Sequence, residues 1–292
     1  MKRILFAFGM MVMTLTNAQI TANRFFYELT YKPSTKSDSL TTMMTILDIT
    51  PEKSLYRDYA YVAQDSLVKA EVEKMMKAGN FNMKTLEQLA KKYKFSHKVT
   101  KKYPITEVKY IDQILNDQVS YTEKLDFKWK LSSEKQKIGA YTAQKATTTF
   151  GGRNWTAWFS NDLPFQDGPY KFNGLPGLIV KIEDSQKHYV WTLKGNEKVN
   201  NYNEKTYAEE FQAKFSGIKE LSVSREKFDK MYSDYRKDPF GSIRIQLKNV
   251  PADAKMPDGS SVLETLKDQE AQLKKFLDDN DNLIEQSEPK KK

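Results

Sequence analysis

The chain has 292 residues, 39% of them hydrophobic and 12% aromatic, with two histidines and no cysteine. That length is ample for a buried core, and the missing thiol excludes disulfides, thiol catalysis and thiolate metal sites. The formal charge is +9 at pH 7. Much of the excess gathers at Lys91, Lys92, Lys94, Lys98, Lys101 and Lys102 around His97, and again at Lys290–Lys292. Such a run reads first as a solvated face and second as a patch for anionic lipid headgroups or lipopolysaccharide. No nucleic-acid-binding motif accompanies it, so nucleic acid is not an expected partner.

Lys2 and Arg3 precede an apolar run from Ile4 to Leu15 and then Thr16-Asn17-Ala18. This is the order of a secretory signal peptide, with cleavage after Ala18. The run is shorter than the roughly 20 residues of a bilayer span, and no other stretch approaches one, so no transmembrane segment is expected after cleavage. Phe25, Tyr27, Leu29 and Tyr31 then alternate with polar and aromatic neighbours as a half-buried strand. Thr41–Thr50 and Ser54–Tyr61 continue an antiparallel meander. The period changes at Asp65 or Ser66, expected to cap a helix running to Lys77 and ended by Gly79. Asn82 is expected to cap a second helix, Lys84–Tyr93, completing a helical hairpin inserted at about 65–93.

Strand character returns over Lys98–Tyr103, Glu107–Ile114 and Val119–Trp129, and Glu134–Ile138 reads as a turn region. From Tyr141 to Gly195 the turn chemistry is dense. Gly151-Gly152 has the two-residue spacing of a tight hairpin with positive φ at both positions. Asp167-Gly168-Pro169 is a second break. Leu175-Pro176-Gly177-Leu178 has the spacing of a type II turn with positive φ expected at Gly177. Gly168, Pro169, Gly174, Pro176 and Gly177 together form the structural turn motif. Beyond Gly195, helices are expected over Lys205–Phe215, from Ser224 to Asp238, and from Ser260 or Ser261 to about Leu277. Ile243–Leu247 is expected as a last strand, and the final ten residues as a charged, disordered tail.

The segment FSNDLPFQDGPYKFNGLPGLIVKIED resembles the signature of the GLPGLI family, secreted proteins of the Bacteroidota named for the hexapeptide that here is Gly174–Ile179. The similarity extends to Trp129-Lys130-Leu131, Ala146, Gly152-Arg153, Ala157-Trp158-Phe159, Pro164 and Gly168-Pro169. It implies an exported cell-envelope protein whose relatives accompany outer-membrane uptake systems. It implies no assigned reaction.

The residues offer little acid–base machinery. His97 and His188 are the only imidazoles, and no Gly-x-Ser-x-Gly elbow or His-x-x-x-His spacing occurs. Asp278–Asn282 resembles a calcium loop without the glycine that makes its sharp turn. No phosphate loop is present. No catalytic residue, metal or cofactor is therefore assigned. What remains is the aromatic load: Trp129, Trp155, Trp158 and Trp191, with Phe150, Phe159, Tyr170, Phe172 and Tyr189, on neighbouring strands. One reading makes all of them core. The other makes a groove for an apolar or sugar-bearing ligand, lined by Trp129, Trp158 and Trp191, with Arg153 or Lys171 at its mouth.

The expected fold is α+β: an extended, curved antiparallel β-sheet, a half-barrel-like meander, with the inserted helical hairpin and C-terminal helices. Residues 1–18 are the signal, 19–250 the β-rich domain, and 251–292 a linker, helix and charged tail. The expected function is that of an exported, non-enzymatic envelope protein binding an apolar or glycan ligand, or an outer-membrane partner, on an aromatic-rich sheet. The alternatives are an interaction module acting through the C-terminal helix and a carboxylate-based hydrolase.

Overall fold

Strand β1 (Ala22–Tyr31) sets the pattern: Phe25, Tyr27, Leu29 and Tyr31 are buried on one face, as their period of two requires. A computed structural model describes residues 20–80, 95–115, 117–215, 219–251, 253–256 and 259–286. The signal segment and the second helix of the expected hairpin lie outside the described residues. From β1 the chain runs as a meander through β2 (Thr41–Ile49), β3 (Lys53–Asp58), β4 (Lys98–Lys102), β5 (Val108–Ile114) and β6 (Asp117–Glu123). A second meander contains β7 (Lys130–Ile138), β8 (Tyr141–Phe150), β9 (Arg153–Ser160), β10 (Leu178–Asp184) and β11 (Tyr189–Val199). Antiparallel pairing of β1 with β11 joins the two at the centre. The result is one 12-stranded sheet in the order β12-β6-β5-β4-β3-β2-β1-β11-β10-β9-β8-β7, in which only the two-residue β12 (Leu221–Ser222) pairs in parallel.

This sheet is open and curved. In a flat sheet, neighbouring strands lie about 4.8 Å apart, which would hold β6 and β8, nine positions apart in that order, roughly 43 Å from one another. Yet the Lys171 ammonium lies 5.0 Å from the Tyr121 ring of β6 and 5.9 Å from the Phe150 ring of β8. The inner face closes on the loop between β9 and β10, and Tyr170, Phe172 and Leu175 from that loop belong to the main core.

Helices cover both faces. On the outer face, α1 (Ala60–Ala63) leads into α2 (Asp65–Ala78), which packs through Val68, Val72 and Met75 against Tyr207, Ala208 and Phe211 of α3 (Tyr207–Phe215). On the inner face, α4 (Arg225–Lys237) lays Phe228 against Tyr110 and Tyr121. The short α5 (Gly241–Gln246) and the longer α6 (Val262–Asp278) follow. No helix among the described residues is long and apolar enough to cross a membrane.

Several expectations are corrected. Glu134–Ile138 is the end of edge strand β7, not a turn. The strand expected over Val119–Trp129 stops at Glu123. Ile243–Leu247 falls mainly in α5, where its alternating isoleucines had the look of a strand. Ser224 and Ser261 cap α4 and α6 as expected. Asp65 does not cap its own helix: its carboxylate accepts from the Tyr207 and Ala208 amides and so caps α3. Gly151 and Gly152 have φ of +56° and +72°, as a hairpin of the I′ kind demands. Gly177 has no positive φ. It is needed for closeness, because a Cβ there would lie 2.2 Å from the Ser160 carbonyl oxygen. The positive φ belongs to Gly174, at +88°. The tail expectation fails at its start: Ile284 is buried and packs into the main core.

Candidate functional site

The inner face is organised by two irregular segments, and the first is the loop Asp167–Leu175. Its anchor is Lys101, a fully buried residue of β4 whose ammonium sits 2.5 Å from Asp167 and donates to the Gly168, Tyr170 and Phe172 carbonyls. Burial pulls the Lys101 pKa down, and the Asp167 carboxylate opposes that pull. Tyr103 donates its hydroxyl to the other Asp167 oxygen at 2.5 Å. This clamp holds Tyr170 at φ +55°, a conformation that costs a bulky residue about 1–2 kcal/mol. In that conformation the Tyr170 ring stacks on Trp191 and meets His97 and Tyr110 edge-on.

Next along the loop, Lys171 is also fully buried. Its ammonium donates to the Tyr121 hydroxyl (2.7 Å), Glu123 (2.5 Å) and Glu285 (2.5 Å). It also lies 4.9–5.9 Å from the ring centres of Tyr110, Tyr121, Tyr170 and Phe150. Four rings around one ammonium is the arrangement by which proteins recognise cationic ligands; here the cation is the protein's own. Arg225 approaches from α4, bonding the Tyr121 hydroxyl at 2.7 Å and Glu285 at 3.0 Å. Burial alone would push the Glu285 carboxyl up, but Lys171 and Arg225 hold it below its ordinary value.

The second irregular segment is the strap Asn282–Gln286. Arg153, at the start of β9, divides its five N–H donors between the strap and the β10–β11 hairpin: Nε on the Ile284 carbonyl, one amino group on Asn282 Oδ1 and the Leu283 carbonyl, the other on Asp184 and His188. The Tyr189 hydroxyl donates to the Asn282 carbonyl. Asn282 in turn donates through its side chain to the Lys32 carbonyl, and the Gln286 amide reaches the Gly151 carbonyl.

Between strands β5 and β6, α4 and the strap lies a cavity of about 220 Å³, walled by Tyr31, Tyr110, Tyr121, Tyr170, Tyr189, Tyr232 and Tyr235, with Arg225, Arg236, Asp112 and His97 among them. His97 stacks between Tyr56 and Tyr110. Its Nε2 is buried with no hydrogen-bond partner. Burial, and then the Lys171 charge, bring its pKa down to about 3, so the ring is neutral. Burial also raises the Asp112 pKa against the hydrogen bonds from Ser96, the Gln113 amide and Tyr110. Chemically this surface offers flat ring faces and a few fixed polar atoms.

Of the five residues expected at a groove, Arg153, Lys171 and Trp191 converge on the inner face. Arg153 and Lys171 are interior, however, and not at a mouth. Trp191 is fully buried, its indole N–H on the Tyr56 hydroxyl at 2.8 Å. Trp158 lies on the opposite side of β9 from Trp155, buried beneath the Lys145 ammonium. Trp129 is half-buried at the far end of the inner face, its indole N–H on the Asn173 carbonyl at 2.8 Å. The described members of the basic patch are dispersed. Lys101 and His97 are interior. Lys98 pairs with Glu209 on the outer face, where burial and then Arg57 bring its ammonium down to about 8. Lys91, Lys92 and Lys94 lie outside the described residues. Tyr121, Glu123, Arg225 and Glu285 were not among the expected site residues. Arg225 is one helical turn before Phe228 and so shares its face of the helix, which was a usable signal. Glu285 offered none.

Residues 152–181 match the family model described as "Protein of unknown function (Porph_ging)". No curated protein matches the chain. Among solved structures, PNGF-II in its C2 crystal form is similar at 16% identity and a TM-score of 0.49 over 74% of this chain, and in its P21 form at 15% and 0.47 over 74%. This chain spans 33% and 34% of the length of those two chains.

Proposed function

We propose that this chain is an exported, non-enzymatic cell-envelope protein of the GLPGLI kind, and that its inner-face cavity binds a small polar ring such as one sugar unit of a glycan. The observation that carries the reading is the cavity itself, in which seven tyrosine rings stand beside Arg225, Arg236, Asp112 and His97. Ring faces beside fixed hydroxyl, carboxylate and guanidinium groups suit a ligand with flat apolar faces and a polar rim better than a hydrocarbon. A cavity of about 220 Å³ leaves room for a ring of that size. A half-barrel α+β carrier is the fold this reading calls for. Export is supported by the basic, then apolar, then small-residue order of the first 18 residues.

The test is saturation-transfer NMR of the mature protein against a panel of monosaccharides and short envelope glycans, repeated with Tyr232→Ala and His97→Phe. Binding that both substitutions abolish is the expected result; no binding by the folded mature chain defeats the reading. Sequencing the mature N-terminus tests export, with Gln19 expected first. A second reading, an interaction module working through α6, is favoured by Phe276, which is 50% exposed on a helix whose one buried residue is Leu277. Loss of co-purifying envelope proteins on Phe276→Ser would support it.

A further inference from the structure

We propose that the groove holding Asn282–Gln286 is a peptide-binding site, and that its occupant in trans is the same segment of a second copy of this chain. The strap belongs to no helix or strand of the described fold. It is recognised the way a bound peptide is, through backbone carbonyls and side chains at fixed spacing. Asn282 is read through its amide by Arg153 and the Lys32 carbonyl. Two residues on, Ile284 enters the apolar core. The next residue, Glu285, places a carboxylate between Lys171 and Arg225. Each receiving group also has a partner outside the strap. Arg153 is fixed by Asp184 at 2.8 Å, Lys171 by Glu123 and Tyr121, and Arg225 by Asp229 at 2.9 Å. Beside their own carboxylate partners, Lys171 and Arg225 keep donors that meet the segment's acidic residue.

The arm that leads into the strap is held more lightly than the strap itself, its last tie being the Asp281 carboxylate, which accepts from Thr35. Pro251, Asp253, Lys255, Met256 and Gly259 are exposed. In α6 only Leu277 is buried, and the helix is joined to the preceding elements by the ion pair Arg244–Glu270 and by Arg236 on the Leu277 and Asn280 carbonyls. An α-helix of 17 residues is about 25 Å long, so an arm hinged in the linker carries the strap clear of its own groove. Exchange of an identical element between copies then needs no new contact, because each groove receives the segment it already fits. The tether gives the arm an effective concentration of about millimolar order in cis, so the exchanged dimer grows in as the protein concentration approaches that value.

Two full-length variants test this. Arg153→Ala spoils the groove and keeps the segment, and Asn282→Ala/Glu285→Ala spoils the segment and keeps the groove. Each alone is expected to stay monomeric, and their mixture to form a 1:1 complex by light scattering. Adding Glu285→Gln to the Arg153→Ala partner is expected to weaken the complex about tenfold or more, the loss of charge-assisted bonds. No complex between two variants that both keep the native circular dichroism overturns the proposal. Should either variant fail to fold, the wild-type chain serves instead: a protease site placed in the 251–260 linker is cut after folding, and a labelled peptide of residues 261–286 is added in excess. Replacement of the resident arm supports the proposal. Its absence over days overturns it.

Discussion

The loop Asp167–Leu175 and the strap Asn282–Gln286 lie side by side on one face, yet they are held by different means. The loop buries Tyr170, Phe172 and Leu175, and a single lysine beneath it gathers three of its carbonyls. Glycines let it sit tightly: a Cβ on Gly168 would meet Ile179 at 2.7 Å. The strap buries Ile284 in the main core and Asn282 beside Arg153, and is otherwise held by cations and hydroxyls that reach it from β9, β11, α4 and the neighbouring loop. The first is core that happens to be irregular. The second is closer to a ligand covalently attached to its receptor.

The sharpest way to break this contrast is Lys101→Met. It leaves Asp167 buried without its cation and three carbonyls without a donor, an expected loss of about 3–5 kcal/mol in urea unfolding. A loss under about 1 kcal/mol would mean that the loop is no more integral than the strap.

His97→Phe probes the cavity between them. The unfolded imidazole takes up a proton below about pH 6.5 and the buried one only near pH 3. Wild-type stability therefore drains away as pH falls through that window, by about 3 kcal/mol at pH 4. Relative to wild type, the variant should gain stability by that amount between pH 7 and pH 4, read from denaturation midpoints at each pH.

Arg153→Ala should cost about 2–3 kcal/mol, but locally. Hydrogen exchange at the Gln286 amide should rise well before that of β9 and β11, which the loop variant would not reproduce. The smallest effect expected is that of Glu285→Gln, about 1–2 kcal/mol at pH 7. The Glu285 carboxyl titrates below its ordinary value of 4.5, so its contribution is present above that pH and is lost as pH falls further. The variant's strap should show no acid-induced opening of its own below pH 4.5, measured by the same exchange.

The same contrast explains what could be read from the sequence. Gly151-Gly152, the alternation of β1 and the serine caps of α4 and α6 are local signals, decided by residues within a few positions of one another. Edge strand β7 was missed because Ser132, Ser133, Glu134, Lys135 and Lys137 leave it no apolar face to alternate, as suits a strand with one unpaired side. Lys101 and His97 were read as surface because they stand in a lysine-rich run; only the sheet's curl brings Asp167 and Tyr170 over them. The strap is the extreme case. Its partners Arg153, Lys171 and Tyr189 stand at least 93 positions away in sequence, and nothing in Asn-Leu-Ile-Glu-Gln announces burial.

The central pairing has a consequence for how the molecule comes into being. Strand β1 lies between β2 and β11 and is matched along its length with Tyr189–Val199. A ribosome delivers β1 to β6 long before that partner and before the loop that fills their concavity. During that interval Phe25, Tyr27, Leu29 and Tyr56 have no cover, and an unpaired strand edge stands open. Contacts so distant in sequence make for late, slow closure. The vulnerable moment in this protein's life is thus the one in which the first meander is free to fold and must be kept from self-association until the second joins it.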